Sequence, residues 1–420
     1  MLERLTAFAG LAALVATLLS AGACSTTVHA PAMQLEPKPR AVLAALGVES
    51  VRLPRLAVAA SGALYLLALE RTESGERLAL RISHDSGDSF GPPVWVSSAG
   101  ASISAHGENS PVLVLTPTEI YVLWEQRRED GFTDILLARS LNFGRSFEPP
   151  VCVVRKVRPS FHGFANLGVA PNGDVYIAWL DARDTPERPG TFSVYLARSE
   201  DRGASFGENI RVAGSACPCC RVALAFGSHG QVHIAWRKVL EGNVRDIVVS
   251  TSPDRGNSFG PPVRVAADNW RIDGCPHSGP AIASKNDRLY LAWMTEARGS
   301  STVQVSWSDD AGKSFAPPQA VSKGILDANH PAFSLSHDGL LLLIFEGRPA
   351  DERHWPAARP YVVEIAGAGE LSAPVEVPAG ERSASYPVIA AGTAGRIYTA
   401  WTEQGHPGNR VLLCRGRLSD

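Results

Sequence analysis

The chain has 420 residues, of which 20% are charged, with a formal net charge of −2. That balance excludes a binder working by electrostatic attraction to nucleic acid, and the length is enough for a large core. The 38 Gly and 30 Pro residues suit an all-β chain broken by many turns.

In chain order, residues 1–23 read as an export signal: Arg4, an apolar run from Leu5 to Leu19, then Ser20-Ala21-Gly22-Ala23 ahead of Cys24. The run is short for a membrane span, and no second one follows. The small residues before Cys24 resemble a bacterial lipobox, with Ala21 where Leu is usual, which implies a lipid on Cys24. Residues 24–45, with Pro31, Pro37 and Pro39, read as the tether and residues 46–420 as the folded part. The expected location is the bacterial cell envelope, facing the periplasm or the exterior, with the membrane reached only through the lipid.

From residue 64 onward one pattern recurs. A strand ending in Trp or a substitute appears as Leu64-Tyr65-Leu66-Leu67-Ala68, Tyr121-Val122-Leu123-Trp124 and Tyr176-Ile177-Ala178-Trp179. It continues as His233-Ile234-Ala235-Trp236, Tyr290-Leu291-Ala292-Trp293, Leu342-Leu343-Ile344-Phe345 and Tyr398-Thr399-Ala400-Trp401. After the next strand comes an octapeptide, first Ser83-His84-Asp85-Ser86-Gly87-Asp88-Ser89-Phe90, repeated from Ser140, Ser199, Ser252 and Ser308. The starts are 57, 59, 53 and 56 residues apart, a period that marks an array of one supersecondary unit. Ser and Asp or Asn side chains close a turn on nearby backbone N–H groups, and Gly supplies the left-handed residue. A sixth copy is degraded near Ala366-Gly367-Ala368-Gly369.

The octapeptide S-x-[DN]-x-G-x-S-F resembles the Asp-box, or BNR repeat, of the sialidase-like β-propellers, where it is a structural turn away from the catalytic site. The resemblance covers residues about 50–420. It implies an all-β fold, and the repeat count predicts a seven-bladed β-propeller of four-stranded blades, with the six-bladed sialidase type as the alternative. The last unit lacks its fourth strand, which residues 32–50 are expected to supply.

Propeller function belongs where the inner strands begin, at the mouth of the central channel. Aligned on the start of each inner strand, the units offer Arg52; His106, Glu108 and Asn109; His162; and then Cys217, Cys219, Cys220 and Arg221. Cys275, His277 and Ser278 follow, then Asn329 and His330, and last Tyr386. Arg52, His106, His162, Arg221 and His330 are therefore candidate ligand-binding residues. Cys217, Cys219, Cys220, Cys275 and His277 are candidate ligands for a soft or borderline ion, copper or zinc. Disulfides compete with that reading, because an exported chain without Cys24 has six cysteines, and free or redox-active thiols are the third option. Cys152 and Cys414 are expected to be buried packing residues. The implied partner is a small molecule, a glycan or a metal ion, bound by a monomer.

The sialidase resemblance also carries activity residues. Val51-Arg52-Leu53-Pro54 looks like the motif whose Arg grips the substrate carboxylate, with Leu69-Glu70-Arg71 resembling the Glu-x-Arg after it. Ser383-Ala384-Ser385-Tyr386 resembles the segment bearing a tyrosine nucleophile, for which Glu381 or Glu403 would serve as base. This implies, as the alternative function, an exo-sialidase-type glycoside hydrolase using Arg52, Tyr386 and Glu403. The chain departs from the family pattern where an acidic Asp is expected after the first unit's second strand. Glu73 and Glu76 stand in that loop instead. No motif selects the rest of an arginine triad among Arg71, Arg183, Arg221 and Arg348.

Overall fold

A computed structural model describes residues 33–42, 48–73, 75–155, 160–184, 189–350, 355–367, 369–405 and 408–418. The export signal, Cys24 and most of the tether lie outside these residues. Among the described residues no helix is long and apolar enough to cross a membrane.

The fold is an all-β propeller. The inner strands Ser50–Val58, Val112–Leu115, His162–Val169, Ala223–Phe226, Ala281–Lys285, Ile325–Leu335 and Ala384–Ala391 each touch the next, and the last touches the first. From each inner strand the chain meanders outward through antiparallel neighbours. The expected seven-bladed propeller of four-stranded blades is corrected by the hydrogen bonding. Three sheets have four strands, two have five, and a further one has eight, so neither seven nor six separate four-stranded sheets are present. The eight-stranded sheet arises because Ile210–Ala216 runs along Phe192–Leu196 and then pairs Ala216 with Lys238 of the following unit. Sequence repeats count units; they do not reveal that two of them share a ladder.

The second strand of each unit is buried on both faces, which explains its near-continuous apolar run. Trp179, Trp236, Trp293 and Trp401 are among the largest fully buried side chains. The last sheet takes its outer strands from the start of the chain. Met33–Leu35 and Arg40–Val42 both pair antiparallel with Arg410–Leu418, and Arg415 holds Glu36 at 2.7 Å. The expectation that residues 32–50 complete this sheet matches that pairing.

The octapeptides form the turns read from the sequence. In the first, Gly87 N–H donates to Ser83 Oγ at 2.7 Å and Ser89 N–H to Asp85 Oδ1 at 2.9 Å. The copies at Ser140, Ser199, Ser252 and Ser308 repeat both bonds. In each, a left-handed residue precedes the glycine, as with Arg202 (φ 57°) before Gly203 (φ 77°). The hydroxyl of Ser258 is the largest of the hydrogen-bonding influences that push Asp254 down to about 2.

The glycine of each turn also faces the sheet before it. A Cβ on Gly203 would lie 3.0 Å from Leu137 and 3.1 Å from Tyr121, and one on Gly87 would lie 2.7 Å from Leu413, across the ring closure. Tyr121 and Tyr176 reinforce this by donating to the carbonyls of Arg202 and Arg255 in the next turn. Gly173 offers a control, since its φ is +88° but its Cβ position is open. Gly173→Ala is expected to cost only the left-handed strain, about 1–2 kcal/mol. Gly203→Ala should cost about 1–3 kcal/mol more, because the added methyl overpacks the seam between sheets. Urea unfolding of the two variants measures the difference.

Candidate functional site

Four inner strands open with the same irregularity. The register slips between Arg52 and Arg55, Gly163 and Asn166, Asn329 and Ala332, and Ser385 and Val388. Inside each bulge one residue is left-handed: Leu53 (φ 54°), Phe164 (φ 55°), His330 (φ 52°) and Tyr386 (φ 51°). Such conformations cost energy in residues with a Cβ and re-aim the side chain. Side chains accept the N–H groups freed from the ladders: Thr402 takes that of Leu53, Asn109 that of Phe164 and Glu346 that of Tyr386. The bulges turn His330 and Tyr386 toward the axis, where their rings meet with centroids 4.0 Å apart.

At the axis lies a cavity of about 250 Å³ lined by Arg55, Glu108, Arg221, His330 and Tyr386 together with apolar inner-strand residues. Glu108 organises it. Its side chain is fully buried, pairs with the Arg221 guanidinium, and accepts the N–H groups of Arg221 (3.2 Å) and Gly279 (2.8 Å). One carboxylate from the second unit thus clamps together the loop ending Cys219-Cys220-Arg221 and the loop Cys275-Pro276-His277-Ser278-Gly279. The contact is so close that a Cβ on Gly279 would stand 2.3 Å from the Arg221 carbonyl.

The turn Cys217-Pro218-Cys219-Cys220 brings three sulfurs together. Cys217 and Cys219 are 3.7 Å apart, Cys217 and Cys220 3.7 Å, and Cys219 and Cys220 4.0 Å; all three residues are buried. These are free thiols, well beyond the roughly 2.05 Å of a disulfide. Cys219 belongs also to a second group, with Cys275 and His277, whose ligand atoms lie within 4.8 Å of one another; those two residues are exposed. Hydrogen bonds from Cys219 and Cys220 pull the Cys217 thiol down, helped by Arg245, whose Nη1 lies 3.2 Å from its sulfur. Burial pushes Cys220 up. Arg237 is fully buried, donates to the carbonyls of Arg245, Ser278 and Met294, and acts electrostatically on Cys220 and Asp268.

The other sequence candidates are distributed as follows. His106 reaches the mouth, with its ring 6.5 Å from that of His277, and His330 Nε2 lies 3.1 Å from the His277 carbonyl. His162 turns away and binds Asp181 at 3.0 Å. Arg52 is held by Glu76 and the Ala105 carbonyl, so the cation on the first inner strand that lines the cavity is Arg55. Arg55 donates to the Pro111 carbonyl, and burial lowers it to about 10. Arg183, Arg348 and Arg71 pair with Asp181, Asp327 and Glu76. Glu403 is buried and bound by Arg410, and the carboxylates that act on Tyr386 are Glu108 and Glu346. Burial first, then those two charges, push the Tyr386 phenol up to about 12. Cys414 is buried as expected, whereas Cys152 is exposed.

Sequence reasoning passed over Arg55, Arg237 and Arg245. A charged residue directly after Pro54 on an apolar inner strand was a usable signal, as was Arg237 directly after Trp236. Arg245 had none.

No protein-family model matches the chain, and no curated protein sequence matches it significantly. Among solved structures the chain is similar to a protein of unknown function from Dyadobacter fermentans, at 14% identity and TM-score 0.52, over 76% of this chain and 97% of that one. It is similar to a Trypanosoma rangeli sialidase mutant displaying trans-sialidase activity, at 13% identity and TM-score 0.51, over 92% and 59%. An ulvan lyase, from a new family of polysaccharide lyases, aligns at 13% identity and TM-score 0.52, over 76% and 82%. The chain thus spans 59% of the length of the trypanosomal protein. At such identities the likeness is one of fold, a sialidase-like β-propeller.

Glu346 bridges two mouth residues, with Oε1 2.8 Å from His330 Nδ1 and Oε2 accepting from Tyr386 N–H. Burial opposes the charged form of His330, but the Glu346 carboxylate, with Glu108 adding to it, outweighs burial and raises the imidazole above 6.5. Stability from these contacts is therefore complete below 6.5 and is lost as pH rises through the higher folded value. Glu346→Gln should lower the His330 titration, followed by NMR of its ring protons, and narrow that window.

Proposed function

We propose that this exported propeller binds a soft metal ion at its channel mouth through the sulfurs of Cys217, Cys219 and Cys220. The observation that carries the reading is their spacing. Ligands about 2.3 Å from a common centre stand about 3.8 Å apart in a tetrahedral set and about 4.0 Å apart in a trigonal one. The three separations of 3.7, 3.7 and 4.0 Å fall on those edges.

Ligand softness favours copper(I), since an all-thiolate set suits a soft monovalent ion. Buried charges need partners, and Arg237 and Arg245 bring positive charge beside these sulfurs, with the Asp268 carboxylate also acting on Arg237. A lipid on Cys24 would hold the site outside the cytoplasm, where bound metal keeps three neighbouring thiols from oxidising.

Full-length protein purified under reducing, chelator-free conditions is expected to take up one equivalent of copper(I) and to prefer it to zinc. Cys217→Ser and Cys220→Ser should weaken retention by at least about tenfold. A stoichiometry near zero after titration with either ion would refute the reading.

The second reading, glycoside hydrolysis of an anionic sugar, draws on the axial cavity, where Arg55, Arg221 and Tyr386 face one another. A phenol pushed up to about 12 is a poor nucleophile near neutral pH. A fluorogenic sialoside is accordingly expected to show no turnover; hydrolysis lost in Tyr386→Phe would reverse the order of the two readings.

A further inference from the structure

Two ligand sets share the Cys219 sulfur, and they differ in access. Cys217, Cys219 and Cys220 are buried, whereas Cys275 and His277 are exposed. A buried trithiolate gives an ion no direct route from solvent. The described groups placed to receive it outside and pass it inward without release are those whose ligand atoms lie within 4.8 Å of a sulfur of the inner set. His277 is held in a left-handed conformation (φ 47°), and its loop is fixed by Glu108 through Gly279 and by Arg237 through the Ser278 carbonyl. This outer set is therefore built to one geometry.

We infer that the mouth is a two-step relay for copper(I), with Cys219, Cys275 and His277 as the receiving set and Cys217, Cys219 and Cys220 as the holding set. The inference rests on the soft-metal reading above. In the first step the ion, supplied as copper(I), leaves its donor ligand and bonds to the sulfurs of Cys219 and Cys275, which release their thiol protons to solvent, and to an imidazole nitrogen of His277. In the second, the bonds to Cys275 and His277 break while bonds to Cys217 and Cys220 form, and the Cys219 bond persists throughout. Cys217 and Cys220 each give up a thiol proton. One is balanced by the proton Cys275 regains and the other leaves to solvent. The oxidation state does not change. The ion moves from a site of net charge −1 to one of −2, toward Arg237 and Arg245, and this electrostatic gain sets the direction of transfer.

The relay is tested by separating rate from equilibrium. Full-length protein is mixed anaerobically with the copper(I) complex of a chromophoric chelator, and the loss of its colour is followed in time and to its endpoint. Cys275→Ser and His277→Ala are expected to reach nearly the wild-type endpoint but about tenfold or more slowly, while Cys217→Ser and Cys220→Ser fail at the endpoint itself. Circular dichroism and urea midpoints matching the wild type confirm folding of each variant, and Cys275→Ala provides a second substitution. Wild-type rates in both outer variants would overturn the relay. So would loss of the endpoint in the outer variants equal to that in Cys217→Ser, which would make Cys275 and His277 permanent ligands of one ion. Either result leaves the soft-metal reading standing, whereas a wild-type protein that takes no copper(I) refutes both.

Discussion

Each octapeptide glycine lies where the next wedge presses on the one before it, and the whole ring depends on that contact. Two left-handed residues in succession let the turn fold flat, and the missing Cβ lets Leu137 and Tyr121, or Leu413 at the closure, pack directly on the backbone. A side chain there would wedge the sheets apart, and because the ring is closed an opening at one seam shifts every inner strand. The closed ring sets where the inner strands begin, and the loops ahead of them are then fixed locally, as Glu108 fixes those of Arg221 and Gly279.

Much of this was written plainly in the chain. The octapeptides announced their turns because Ser, Asp and Gly have local physical reasons to stand there, and the doubly buried second strands announced themselves by apolar runs ending in Trp. The supply of the last sheet's outer strands by the start of the chain followed from a missing element. The division into sheets was not legible, since one backbone pair, Ala216 with Lys238, decides it and leaves no mark on composition. Nor was the choice between Arg52 and Arg55. A bulge of one residue determines which of them faces the axis, and the pattern Val51-Arg52-Leu53-Pro54-Arg55 does not say where the slip falls. His162 was read by register and Glu403 through the sialidase resemblance, and each had an ion partner, Asp181 and Arg410, waiting to turn it aside.

The mouth also shows how a superfold acquires a site of its own. The scaffold is shared with proteins as different as a sialidase and an ulvan lyase, and function must be read from the loops it presents. Here the distinguishing parts are a buried carboxylate, Glu108, that clamps two loops from the units beyond it, and a buried guanidinium, Arg237, that donates to carbonyls. Both would be costly if left uncompensated. Glu108 has Arg221, and Arg237 has the carbonyls of Arg245, Ser278 and Met294, with the Asp268 carboxylate acting on it as well.

Closure by Met33–Leu35 and Arg40–Val42 on Arg410–Leu418 has a temporal meaning. Strands made early must wait for a partner made almost last, across nearly the whole length of the chain. The circle cannot seal until the far end of the chain is available, and until then the earliest strands remain bare edges open to wrong pairing.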